Sequence, residues 1–98
     1  MYKLFSKEEI IMKDLTSLEK CFEDAKNSDS QFVAVEIQIH NCLGTEIIIN
    51  PRENFDSKLE YYKNAYNENL TLKACPTIKI IDFAYGDSFS ELELLLLG

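Results

Sequence analysis

Apolar positions along this chain change their spacing several times, and each change marks a predicted element. Ser6-Lys7-Glu8-Glu9 has the form of a capping box, in which the serine hydroxyl accepts from the Glu9 amide and the Glu9 side chain reaches back. With Phe5 and Ile10 at the staple positions, it predicts a first helix. A second box, Thr16-Ser17-Leu18-Glu19, predicts a separate helix with Leu15, Leu18, Phe22 and Ala25 on its apolar face, ending over Asn27 to Ser30.

From Phe32 to Ile39 the period falls to two. Val33, Val35, Ile37 and Ile39 share one face and Phe32, Ala34, Glu36 and Gln38 the other, as in a half-buried strand. A connection through His40, Asn41 and Gly44 leads to Thr45–Asn50, whose Ile47, Ile48 and Ile49 are β-branched and stiff, so the pair predicts an antiparallel hairpin. Asn50-Pro51-Arg52-Glu53 then supplies an N-cap, a proline at the first helical position and an acid three residues after the cap. Phe55, Leu59, Tyr62 and Tyr66 follow as one helical stripe, ending near Asn67.

Leu70 to Lys73 reads as a short extended piece, and Pro76 permits only an edge or a strand start. Thr77–Tyr85 predicts a central strand with Ile78 and Ile80 facing one way and Ile81, Phe83 and Tyr85 the other. Gly86-Asp87 turns the chain, and Ser88-Phe89-Ser90-Glu91 opens a C-terminal helix. The order α, α, β, β, α, β, α predicts one α+β domain over residues 1–98. Its expected architecture is a small antiparallel sheet of about three strands with helices packed mainly on one face.

Composition agrees with one ordered core. There are 98 residues, 46% of them hydrophobic, with only 3 glycines and 2 prolines and no linker-like stretch. Cys21, Cys42 and Cys75 are widely spaced, with no C-x-x-C pair and no secretory signal ahead of them, which fits packing residues in a reducing cytoplasm. The longest apolar run, Leu94 to Leu97, falls far short of the roughly 20 residues that span a bilayer.

Charge narrows the function classes. The formal net charge is −7, from 17 acids against 10 Lys and Arg. That balance disfavours direct nucleic-acid binding; it either favours a protein partner with a basic surface or simply keeps a small protein in solution. The acidity is also polarised: residues 82–98 hold Asp82, Asp87, Glu91 and Glu93 and neither Lys nor Arg, whereas residues 57–81 carry Lys58, Lys63, Lys73 and Lys79 against Glu60 and Glu68. Duplex DNA presents one charge per about 1.7 Å of axis, so an imitation of it needs a row of carboxylates. Glu36, Glu46, Glu53, Asp56, Asp82, Asp87, Glu91 and Glu93 are the candidates for that row, with Tyr61 as an aromatic contact. Leu92 and the four leucines that end the helix exceed what one buried stripe can use, so the surplus either docks in a groove of this domain or forms a partner or homodimer interface, for which Leu92, Leu95 and Leu96 are the candidates.

Catalytic chemistry finds little support. No phosphate-cradling glycine loop, nucleophile elbow or metalloprotease helix is present. His40 and Cys42 offer two metal ligands where a structural zinc site needs four. Glu36 and Asp82, inside predicted strands, read as polar residues on the solvated side of a sheet. The expectation is a non-enzymatic protein without cofactor or metal.

The stretch from Ile47 to Phe89, IIINPRENFDSKLEYYKNAYNENLTLKACPTIKIIDFAYGDSF, resembles a segment of small phage or prophage proteins of low-GC Gram-positive bacteria. The resemblance implies a short acidic accessory protein, similar to anti-CRISPR proteins, acting in the bacterial cytoplasm. Such a protein would inhibit a nucleic-acid-handling defence complex by occupying its basic surface. The alternative is a phage structural or assembly accessory protein that forms homo-oligomers through its leucine-rich C-terminus.

Overall fold

The computed structural model describes residues 13–39 and 44–97. The Ser6–Glu9 box with its helix, and the His40 and Cys42 pair, lie outside the described residues.

Helix α1 spans Leu15–Asn27 and starts two residues earlier than the Thr16 box suggests. Asp14 is its cap: the Asp14 carboxylate accepts from the Ser17 amide at 2.9 Å, and the Asp14 amide donates to Ser17 Oγ at 2.8 Å. A carboxylate at this position also faces the positive end of the helix dipole, an advantage that Thr16 could not offer. Leu18, Phe22 and Ala25 lie on the buried face as their spacing predicts; Cys21 joins them, and Leu15 is only half-buried.

Strands β1 (Phe32–Ile39) and β2 (Thr45–Pro51) form the expected antiparallel hairpin. Asn50, however, does not cap a helix. It is 1% exposed, and its side-chain amide donates to the Val33 carbonyl at 3.1 Å and the Tyr62 hydroxyl at 3.4 Å. The Arg52 amide carries the ladder one step further by donating to the Gln31 carbonyl. A 3₁₀ turn, Arg52–Asn54, therefore intervenes before α2, Phe55–Ala65. Phe55 and Tyr62 of α2 pack on Phe22 of α1, with ring centroids 5.5 and 6.1 Å apart.

After α2 the chain turns through Leu70, fully buried yet at φ +71°, and forms the two-residue strand β3, Thr71–Leu72. Strand β4, Cys75–Gly86, is longer than expected and lies next to β1. The sheet thus has four antiparallel strands in the order β2-β1-β4-β3. Helix α3, Phe89–Leu97, closes the described chain.

The β1–β4 register holds one irregularity. Glu36 pairs with Asp82 but Ile37 pairs with Ile80, leaving Ile81 as an extra residue in β4. Such a bulge breaks the two-residue period. Phe83 and Tyr85, opposite Val35 and Val33, therefore share the face of Ile78 and Ile80 rather than the opposite one. This face, covered by α1 and α2, is the main core.

The other face carries Phe32, Ala34, Ile47 and Ile49, and α3 packs there: Phe89 meets Phe32 with ring centroids 5.1 Å apart, and Leu92 is 1% exposed. The described helices consequently sit on both faces of the sheet. Two of the three described helices, α1 and α2, share one face, as expected of helices packed mainly on one face, while α3 covers the second apolar layer with Phe89 and Leu92 and leaves Leu94 and Leu95 outside.

Arg52 ties the hairpin to α1. Its guanidinium donates to the carbonyls of Ser30 at 2.9 Å and Lys26 at 3.2 Å and to the Asp29 carboxylate at 3.1 Å. A cation among the last carbonyls of a helix satisfies acceptors that have no intrahelical donor. Replacing Arg52→Met is expected to cost about 1 to 2 kcal/mol in a urea melt. Deleting Ile81 restores an unbroken ladder without changing which side chains face the core, so the variant should still unfold in one cooperative transition. Deleting Phe83 instead should abolish that transition.

Candidate functional site

The candidate residues divide by their place on the sheet. Glu36 is a core position of β1, 7% exposed, and accepts from the Thr45 hydroxyl. Its register partner Asp82 accepts from the Phe83 amide at 2.8 Å and lies 3.6 Å from the Lys13 ammonium. Glu36 is thus unavailable to a partner. Its placement in a strand of alternating polarity signals a solvated face only while nothing covers that face, and sequence offered no sign that something does.

The remaining acids do not form one row. Glu46 pairs with Ile37 and so lies on the opposite side of the sheet from Glu36. Glu53 and Asp56 sit at the entry to α2, where Asp56 is bonded to Lys26. Asp87 accepts from the Gln31 amide at 3.1 Å, and Glu91 folds back to accept from the Asp87 amide at 2.9 Å. The missing side chain of Gly86 leaves room for this: a Cβ there would stand 2.6 Å from the Glu91 carboxylate. Ser88 completes the cap by accepting from the Glu91 amide at 3.1 Å. Asp87 and Glu91 therefore build the start of α3 while remaining exposed at its rim. Glu46, Glu53 and Glu93 are exposed and have no ion pair among the described residues.

Helix α3 itself forms a ridge. Leu92 points inward, which removes it from the set of interface candidates, and Leu96 is half-buried. Phe89, Leu94 and Leu95 are 60%, 74% and 56% exposed, and apart from Tyr61 at 48% they are the only large hydrophobic side chains so exposed among the described residues. A cleft opens on each flank. One, of about 490 Å³, lies between Leu95, the Lys20 to Asp24 turn of α1, and Phe83 to Tyr85 of β4. The other, of about 190 Å³, lies between Ile47 and Ile49 of β2 and Phe89, Leu92 and Glu93 of α3. Of the exposed pair, Leu95 was a candidate from the sequence and Leu94 was not; neither Leu94 nor the clefts could be read there, because they depend on which face α3 covers.

Family models, curated proteins and solved structures offer no match to this chain. Function must be read from its own surface.

Tyr61 lies on a separate patch, on the exposed side of α2, with the Lys58 ammonium 5.0 Å from its ring centroid. It stacks edge-on against Tyr62 at 5.3 Å and joins the aromatic cluster rather than the α3 ridge. The described residues contain no group of three or more His, Cys, Asp and Glu placed to hold a metal ion, and no helix long and apolar enough to cross a membrane.

Burial sets the behaviour of the ionisable core groups. It pushes the Cys21 thiol up to about 12, with the charges of Asp24 and Asp82 adding to the effect, and raises the Tyr66 hydroxyl to about 12. Burial raises Tyr62 as well, against the hydrogen bond from Asn50. Each group holds its proton more tightly in the folded than in the unfolded chain. Above about pH 9 the unfolded chain binds fewer protons, so stability falls as pH rises toward 12. Urea midpoints should be level between pH 7 and 8 and drop steadily at pH 10 and 11. In a Cys42→Ser variant, a disulfide reagent at pH 8 should titrate one thiol, the exposed Cys75, and reach Cys21 only after denaturation.

Proposed function

We propose that this protein is a non-enzymatic binding domain that presents α3 to a basic protein surface, and that it inhibits a bacterial nucleic-acid-handling defence complex, of CRISPR type, by occupying that surface. The observation that carries the reading is the pairing of apolar and acidic groups on one helix. Leu94 and Leu95 stand exposed beside Glu91 and Glu93, with Asp87 at the helix entry and no Lys or Arg from residue 82 to 98. An apolar crest of this kind supplies contact area, and a carboxylate rim selects a cationic partner and speeds its approach. The resemblance of residues 47–89 to small phage proteins supplies the class of partner. Glu36 has no part in the surface, and the mimicry is local to α3 rather than spread along a row.

A pull-down from the lysate of a low-GC Gram-positive host tests this. A nucleic-acid-handling complex should be retained at about 50 mM salt and largely released near 500 mM, where screening shortens the reach of charge. Leu94→Asp with Leu95→Asp should lower recovery at least tenfold. Retention of no nucleic-acid-handling protein at either salt would overturn the reading.

Exposed Leu95 beside half-buried Leu96 favours a second reading, a phage assembly protein that self-associates through its leucine-rich C-terminus. Light scattering distinguishes them: a mass that rises with concentration and returns to the monomer value in the Leu95→Asp, Leu96→Asp variant supports self-assembly, and a constant monomer mass excludes it.

A further inference from the structure

Strand β2 is the outermost strand on its side of the sheet, and no strand pairs with its far edge among the described residues. Alternate N–H and C=O groups between Thr45 and Asn50 therefore point away from the sheet. An edge of this kind is a template for another strand unless the chain blunts it. In the stretch of β4 that β3 leaves uncovered, the Asp82 carboxylate accepts from the Phe83 amide. In β2 the six residues Thr45 to Asn50 contain no proline and one charge, Glu46, and Ile47, Ile48 and Ile49 are only half-buried.

A second observation concerns the space beside this edge. The cleft of about 190 Å³ has Ile47 and Ile49 as its floor and Phe89 and Leu92 as its wall, with Glu93 at the rim. Edge strand, apolar slot and flanking helix together are what β-strand addition uses. Backbone hydrogen bonds supply affinity, and a pocket for alternate side chains supplies selectivity.

We propose that the β2 edge takes an extended segment of a basic partner as a fifth strand, its apolar side chains entering the cleft beside α3 and its Lys or Arg side chains facing Glu46. Charge selects this occupant. Glu46 and Glu93 are exposed on the two sides of the edge without an ion pair among the described residues, so both draw cations. A second copy of the chain would instead bring another net −7 and another Glu46 to the same edge. The inference rests on the reading of the protein as a binder of basic partners and adds how part of that partner is held.

The test uses the full chain and the peptide Lys-Val-Lys-Val-Lys-Val-Lys, followed by amide chemical shifts. Shifts should concentrate at Thr45 to Asn50 and along the cleft face of α3, and the outward β2 amides should exchange with solvent at least tenfold more slowly. N-methylation of the peptide backbone should abolish both effects. Glu46→Gln with Glu93→Gln should weaken binding about fivefold. Shifts confined to other parts of the chain, equal binding of the N-methylated peptide, or equal binding of a Glu-Val peptide would each overturn the proposal. So would protection of the β2 amides without peptide in a particle of twice the monomer mass. Failure of the peptide while Leu94→Asp still abolishes capture of the partner would remove the fifth strand and leave the α3 reading intact; loss of the α3 effect with the peptide bound would do the reverse.

Discussion

Between Glu36 and Ile37 of β1, the ladder with β4 takes in one residue too many, Ile81, and the division of the molecule into two layers depends on it. Without that bulge, with Ile81 paired as an ordinary rung, Phe83 and Tyr85 would leave the face of Ile78 and Ile80, and the core beneath α1 and α2 would lose two large side chains. With it, β4 gives that core four apolar residues and turns Asp82, Ala84 and Gly86 to the other side. The paired β4 residues on that side, Asp82, Ala84 and Gly86, are small or polar, and Phe32 and Ala34 of β1 with Ile47 and Ile49 of β2 supply its apolar floor. Helix α3 covers this shifted floor with Phe89 and Leu92 and leaves Leu94 and Leu95 outside. The exposed ridge is thus a consequence of the register of β4, the strand immediately before it.

Much of the fold was legible because local rules and tertiary packing agree. The period-two run in β1, the apolar faces of α1 and α2 and the serine cap of α3 all carry their structure in their own spacing. The misreadings arise where one residue has two uses. Asn50 has the form of a helix cap, but the Val33 carbonyl and the Tyr62 hydroxyl claim its side chain inside the core. Glu91 has the form of the returning half of a capping box, but it reaches the amide of Asp87 instead of that of Ser88. Leu70 adopts a left-handed backbone that its residue type does not announce; its N–H donates to the Asn67 carbonyl, and its carbonyl accepts from the Ile80 amide. A bulge leaves no compositional mark when the extra residue, here Ile81, is as apolar as its neighbours.

The candidate site divides in the same way. Leucine surplus and acid enrichment after residue 81 were visible in the sequence, and the ridge with its carboxylate rim follows from them. Which acids are free was not visible, since that depends on who stands opposite: Glu36 meets Thr45, Asp82 meets Lys13, and Asp56 meets Lys26. The acid-rich C-terminal segment thereby presents an uncommitted carboxylate, Glu93, beside exposed leucine, with Asp87 and Glu91 at the start of the same helix. Such a surface has little to offer a bare phosphate backbone and much to offer a protein whose groove is both apolar and cationic.

The most direct measurement is site-specific photo-crosslinking in the host cell, with a photoreactive side chain at Leu94 and, as a control, at Tyr61 on the separate aromatic patch. The account expects a single crosslinked product from position 94, containing a nucleic-acid-handling protein, that disappears when that protein's nucleic acid is supplied in excess. A product from position 61 and none from 94, or a product at 94 that nucleic acid leaves unchanged, would contradict it.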